Sequence, residues 1–220
     1  MFLAIIPARS GSQRIKNKNL KQVKNKALIY YTIRESLKSK YIKETIVLTD
    51  SEAIKKKSIE YGAKVPFLRP KKISGNKTPM LETIQYAMKK LEIYDNKKFK
   101  YIVLLPVTSP LRFAQDIDDC CKKIKKDIKA DSLVTTYEIE ESYHPSKIMY
   151  EKDNKYLKKI QFNNNKKFFV RNGPAVLITK IQKVKKYLLG GRIINHVMPE
   201  ERSIDINYKK DLEKVRLKIK

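Results

Sequence analysis

Cysteine is nearly missing from this 220-residue chain, and its two examples, Cys120 and Cys121, are adjacent. Neighbouring cysteines make a poor structural disulfide and offer no metal-ligand spacing, so a disulfide scaffold and a zinc module both lose their footing. The two thiols are read as reduced and buried or half-buried. Long apolar runs are missing too: no stretch approaches the roughly 20 residues of a membrane span. The opening MFLAIIPAR has neither the basic leader nor the long apolar core of a signal peptide. The expected compartment is therefore cytoplasmic, with no membrane partner. Acid is in short supply, with 23 Asp and Glu against 50 Lys and Arg, for a formal net charge of +27. That excess would attract nucleic acid, an anionic surface or a polyanionic small substrate. The lysines are spread through KSKYIKE, KKKSIEYG and KKIKKDIK in the manner of solvated helix faces. There is no polybasic tail, no aromatic-rich RNA-binding strand, no internal repeat and no long low-complexity linker, so no nucleic-acid partner is expected.

What is present is a core and a rhythm. With 41% hydrophobic residues the chain can bury the interior of one unit spanning 1–220. Phe2 to Pro7 is a continuous apolar run, as in a strand covered on both faces. ALIYYTIRESL has helical spacing, ETIVLTD is a short strand ending at Asp50, and SEAIKKKSIEYGAK reads as a helix capped by Ser51 and closed near Gly62. KVPFLRP is extended, and TPMLETIQYAMKKLEIY starts a helix with Thr78 as N-cap and Pro79 in the first helical position. KYIVLLPVTSPLR is a buried strand entering a turn, followed by the helix DIDDCCKKIKKDI and the strand DSLVTTYEI. From Glu138 to Phe169 the pattern breaks into loop and hairpin-like pieces, an insertion or an arm for a second subunit. It resumes with the strand GPAVLITK, a helix around IQKVKKYLL, the strand RIINHVM and a basic helix from Tyr208. Strand–helix alternation of this kind predicts an α/β sandwich with a mainly parallel sheet.

Ligands of open α/β sheets sit outside the carboxyl ends of the strands. That places weight on Arg9 to Lys18, Asp50, Arg69, Thr108 to Arg112, and Asp205. The first loop, RSGSQRIKNKN, holds a single glycine and so fits neither the dinucleotide G-x-G-x-x-G nor the Walker pattern. Ser10, Gly11 and Ser12 are small enough to let backbone amides approach phosphate oxygens, while Arg9, Arg14 and Lys18 supply charge. Binding of a phosphate chain is the reading favoured over an idle basic loop.

IIPARSGSQRIKNKNL, LTD at Leu48 to Asp50, KVPFLRP, TSPLR at Thr108 to Arg112, HPSK at His144 to Lys147, RNG at Arg171 to Gly173 and SIDI at Ser203 to Ile206 stand in an order that resembles the CMP-N-acylneuraminate synthetases, a cytidylyltransferase family whose members also activate legionaminic and pseudaminic acids. The resemblance covers nearly the whole chain. It implies a three-layer sandwich with a Rossmann-like nucleotidyltransferase sheet and a small dimerisation arm, which would be 138–169, in a homodimer. It also implies the reaction of CTP with a nine-carbon 2-keto sugar acid, giving CMP-sugar and pyrophosphate with Mg²⁺.

Carried over residue by residue, the resemblance puts Arg9 and Lys18 on the triphosphate as catalytic residues. Ser10, Gly11, Ser12, Arg14, Asn19, Arg69, Thr78 and Ser109 fall around the nucleotide, with Arg69 otherwise a charge beside Pro70 and Thr78 otherwise a helix cap. Thr108, Lys147, Arg171 and Asn172 fall around the sugar, and Asp205 with Asn207 around the metal, Asp205 being otherwise a turn or cap aspartate. His144 and His196 are read as structural. Several positions depart from the family pattern: Gln13 replaces a lysine, Asn76 an aspartate and Pro106 a glutamine, Arg171 sits one place late, and Asn207 replaces the second carboxylate of SIDID. The alternatives are a cytidylyltransferase for 3-deoxy-manno-octulosonate, a degenerate homologue that only binds nucleotide, and a basic nucleic-acid-binding protein.

Overall fold

A computed structural model of the chain describes residues 1–94, 98–152, 156–161, 167–171 and 173–219. The apolar run at the start forms β1 (Phe2–Pro7), whose side chains alternate between two cores. Phe2, Ala4 and Ile6 pack into one, Leu3 and Ile5 into the other. Burying each aliphatic side chain on either face stabilises by roughly 1.5–3 kcal/mol, which explains why no polar residue interrupts the run.

Beyond β1 come the short pair β2 (Gln22–Val23) and β3 (Lys26–Ala27), then α1 (Leu28–Lys38), β4 (Ile42–Leu48) and α2 (Glu52–Glu60). Ser51 caps α2 by accepting from the Ile54 amide at 3.4 Å, and Gly62 ends the segment at φ +90°, a conformation that side-chain-bearing residues rarely adopt. KVPFLRP runs extended beside β4 and bridges it only at Ile46 with Lys64 and Thr49 with Leu68. There follow α3 (Met80–Lys90), β5 (Tyr101–Leu104), α4 (Ala114–Lys126) and β6 (Ser132–Glu138). The later elements are β7 (Met149–Lys152), β8 (Tyr156–Lys159), β9 (Phe169–Val170), β10 (Leu177–Lys180), β11 (Ile193–Val197) and α5 (Lys209–Lys218).

The main sheet has the order β11-β6-β10-β5-β1-β4, with β9 beside the end of β6. β4, β1 and β5 run parallel, as do β6 and β11. β10 lies between β5 and β6 and runs against both. The mainly parallel sheet is thus a mixed one. Residues of α1, α2, α4 and α5 fill the core on one face of the sheet, and α3 covers the other, giving three layers. Cys120 and Cys121 are free and buried in α4, and burial pushes both thiols up.

Two local expectations are corrected. The helix around IQKVKKYLL is only a single 3₁₀ turn, Ile181–Lys183: Thr179 donates to the Leu188 carbonyl, and Gln85 takes the Val184 and Lys185 carbonyls that a helix would use. Thr78 does not cap α3: the helix begins one residue later, with Pro79 in the cap position and no side-chain cap bond. Between β6 and β9 the chain leaves the sheet as an excursion carrying the β7–β8 hairpin, whose described side chains are all exposed. Among the described residues no helix is long and apolar enough to cross a membrane.

Candidate active site

The carboxyl ends of β1, β4 and β5 share one rim, and a cleft of about 500 Å³ opens there. Arg9, Arg14, Lys18 and Arg69 line it, with Ser12, Gln13, Asn19, Asn76, Thr78, Thr83, Thr108 and Asn207 among its polar residues. Among the described residues of the wall there is no carboxylate. Such a wall suits a ligand with several negative charges.

The loop after β1 is shaped by local bonds. Ser10 donates its amide and hydroxyl to the Asp50 carboxylate at 2.7 and 2.8 Å, and the Ser12 amide closes back on the Ser10 carbonyl at 2.8 Å. The expected backbone cradle of Ser10, Gly11 and Ser12 therefore has two of its amides engaged within the protein, and only Ser12 of the three lines the cleft. Asn17 adopts φ 54°, which turns the chain into a 3₁₀ turn over Lys18–Leu20 and points Lys18 and Asn19 inward. Asn19 anchors the turn by donating to the Arg9 carbonyl at 2.8 Å.

Lys18 donates to the Ile206 carbonyl at 2.7 Å. Burial lowers its pKa, and the nearby Arg14 and Arg9 push the same way, against the pull of Asp205. Arg69 is buried at 7% exposure and donates to the Ile73 carbonyl and to Thr83 Oγ1. Its Nε is buried with no hydrogen-bond partner among the described residues, an unmet donor at the cleft.

The Arg14 guanidinium lies 5.0 Å from the centre of the Tyr208 ring and donates to Asn207 Oδ1 at 3.0 Å. Asn207 Nδ2 in turn donates to Asp205 Oδ2 at 2.7 Å. Asp205 itself is not in the wall of the cleft: bonded to Asn207, it lines a neighbouring depression with Ser203, Ile204 and Asp211, and Gly173 stands against its carboxyl. Asp205 Oδ1 is buried and has no partner among the described residues. A hard divalent cation takes carboxylate oxygens, so Asp205 fits a metal ligand. Asn207 fits less well, since the one amide atom able to ligate a cation already faces a guanidinium.

Other candidate residues lie elsewhere. Ser109 is fully buried, donates to the Gly173 carbonyl at 2.8 Å and is absent from the wall of the cleft. Arg112, from the same TSPLR segment, is 1% exposed and donates to the Ala175 and Pro106 carbonyls and to Thr32 Oγ1. Burial pulls its pKa down to about 9, which still leaves it cationic at neutral pH. Thr108 lines the cleft, and its carbonyl accepts from the Ile206 amide at 2.8 Å. Lys147 pairs with Glu141 at 3.0 Å on the excursion, away from this cleft. Arg171 is exposed and absent from the wall, and Asn172 lies outside the described residues. His196 sits half-buried on β11, away from the cleft. Met80 and Thr83 escaped the sequence reading; the signal available was that the first turn of α3 must start at the same rim.

The sequence profile described as Cytidylyltransferase matches residues 3–215. An N-acylneuraminate cytidylyltransferase of Escherichia coli is 31% identical over 226 residues, covering 96% of this chain and 50% of that protein. A pseudaminic acid cytidylyltransferase of Campylobacter jejuni is 37% identical over 109 residues, covering 50% of this chain and 47% of its own. This chain thus spans about half the length of the curated relatives it matches. Among solved structures, a CMP:2-keto-3-deoxy-manno-octonic acid synthetase complexed with CTP superposes with a TM-score of 0.71 at 16% identity, over 98% of this chain and 97% of that one, a likeness of fold. Sheet, rim and profile agree, and the chain belongs to the cytidylyltransferase family.

Proposed function

We propose that the protein joins CTP to a nonulosonic acid, a sialic acid-like nine-carbon 2-keto sugar acid, releasing pyrophosphate and the CMP-sugar. The observation that carries this reading is the four-cation cleft at the strand ends of a cytidylyltransferase-family chain. In the reaction the anomeric hydroxyl attacks the α-phosphorus in line with departing pyrophosphate, so positioning and charge neutralisation supply the rate and no covalent nucleophile is required.

Arg9, Arg14 and Lys18 are the groups that hold the triphosphate and take up the charge that grows on the leaving oxygens. Arg69, with its unmet Nε, and Thr78 border the nucleotide, and Asn19 braces the loop through Arg9. Asp205 would hold Mg²⁺ through Oδ1. When bound, Mg²⁺ supplies further neutralisation of the phosphate oxygens. Thr108 faces the sugar from this chain, while Lys147 and Arg171, which stand off this cleft, would meet the sugar of a partner subunit in a homodimer. Exposed apolar side chains on the excursion, such as Met149 at 48%, Tyr156 at 62% and Leu157 at 66%, suit such a contact. A soluble cytoplasmic enzyme is the corresponding setting.

The test is pyrophosphate release with Mg²⁺, offering CTP, UTP, ATP and GTP against N-acetylneuraminic, legionaminic and pseudaminic acids and 3-deoxy-manno-octulosonate. Turnover with CTP and one nonulosonic acid is expected. Turnover only with 3-deoxy-manno-octulosonate, or none from a folded protein, would overturn the reading.

A further inference from the structure

Arg14, Asn207 and Asp205 form a line in which the middle member is neutral. A guanidinium only donates and a carboxylate only accepts, so the amide between them has a single workable orientation. Its oxygen takes the Arg14 Nη1 proton at 3.0 Å, and its nitrogen gives a proton to Asp205 Oδ2 at 2.7 Å. Tyr208, the next residue, flanks the same guanidinium with its ring at 5.0 Å. Arg14 is thus held by two consecutive residues, and neither cancels its charge.

The surroundings give that neutrality a use. Arg14 stands with Arg9, Lys18 and Arg69 around a cleft whose described wall carries no carboxylate. Two acids stand on this side: Asp205 is joined to Arg14 through the amide, and Asp211 is engaged by the backbone amides of Asn207 and Tyr208 at 3.0 and 2.8 Å. We propose that Asn207 is a positioning residue that aims Arg14 at the ligand's phosphates while insulating it from Asp205, so the guanidinium keeps its full charge for the incoming polyanion. An aspartate at this place would pair with Arg14 directly, and the ligand would then have to displace a carboxylate. The amide also keeps one Asp205 oxygen occupied, while the other, Oδ1, has no partner among the described residues. This inference rests on the phosphate-binding reading of the cleft.

Calorimetric titration of inorganic pyrophosphate into the full chain, in EDTA so that no divalent ion contributes, separates the two. Wild-type protein is expected to bind. N207D is expected to bind about tenfold more weakly, the scale of a charge-assisted hydrogen bond diverted from the ligand. In an Arg14→Gln background the same N207D change should cost less than about threefold, because the guanidinium it would capture is gone. Thermal midpoints within a few degrees of wild type certify folding for each variant, and N207S serves in place of N207D should the latter fail to fold, with a loss of about threefold that vanishes in the Arg14→Gln background. Equal binding by wild type and N207D would overturn the proposal. So would the same tenfold loss in both backgrounds, which would indicate a general field from the added charge. A folded wild type that binds no pyrophosphate would overturn the phosphate reading itself, and this inference with it.

Discussion

The ammonium of Lys18 and the carbonyl of Ile206 meet at 2.7 Å, although 188 residues separate them in the chain. The amide of the same Ile206 is given to the Thr108 carbonyl at 2.8 Å. One residue thereby joins the loop after β1, the loop after β5 and the strip before α5. Lys18 both braces this junction and faces the cleft, so Lys18→Met should lower pyrophosphate release by about 10²-fold or more, the scale for loss of a preorganised charge at a reacting phosphate. Because burial lowers its pKa, Lys18 becomes neutral at a lower pH than a free lysine. The alkaline limb of the rate profile should begin below the ordinary lysine value and move upward in Lys18→Arg. An unchanged limb in that variant would separate Lys18 from the pH dependence.

Arg112 predicts a stability effect. It satisfies two carbonyls and a hydroxyl from three different segments, at 1% exposure. Arg112→Met leaves those acceptors buried and unpaired, at about 1–3 kcal/mol each, and should destabilise by about 3–5 kcal/mol in urea titration. Arg112→Lys should recover little, since a single ammonium cannot reproduce a planar fork.

Gly173 has φ +41°, and a Cβ built there would stand 2.1 Å from Asp205 Cγ. Gly173→Ala must shift either the turn or the carboxylate. The expected outcome is about 1–3 kcal/mol of destabilisation together with weakened Mg²⁺-dependent CTP binding, read by urea midpoint and calorimetry. Normal metal-dependent binding in a stable variant would detach Asp205 from the metal.

His196 lies half-buried on β11, and burial lowers its pKa below the ordinary 6.5. The unfolded chain therefore takes up a proton near pH 6.5 that the folded chain takes up only at lower pH. Stability contributed by this group is fully present above pH 6.5 and declines as pH falls from there toward the lowered folded value. Urea midpoints measured from pH 7.5 down to 5 should fall less steeply in His196→Asn than in wild type, and parallel curves would contradict the assignment.

Features set by short-range chemistry were legible in the sequence. The β1 run, the Ser51 cap and the turn at Gly62 depend on residues within a few places of each other. The gathering of Arg9, Arg14 and Lys18 at one rim was legible because cations crowd next to a buried strand's end. Other features were decided at a distance. GPAVLITK is apolar whichever way it runs, so its antiparallel placement between β5 and β6 left no mark in the pattern. TSPLR looked like a row of ligand contacts, yet Ser109 and Arg112 turn inward to the carbonyls of Gly173 and Ala175. The helical spacing of IQKVKKYLL lost to bonds from outside the segment: Thr179 takes the Leu188 carbonyl, and Gln85 takes those of Val184 and Lys185. Asn207 could be read as a poor metal ligand, but not as the partner of Arg14, 193 residues away.

The reversed β10 has an architectural consequence. β6 leaves the sheet at the same rim where β10 enters it, since the two are antiparallel neighbours with Val134 opposite Leu177. The segment between them, which carries the β7–β8 hairpin, starts and finishes at the rim of the sheet on which the cleft also opens. Its length is therefore uncoupled from the sheet: residues can be added or removed there without rethreading a strand.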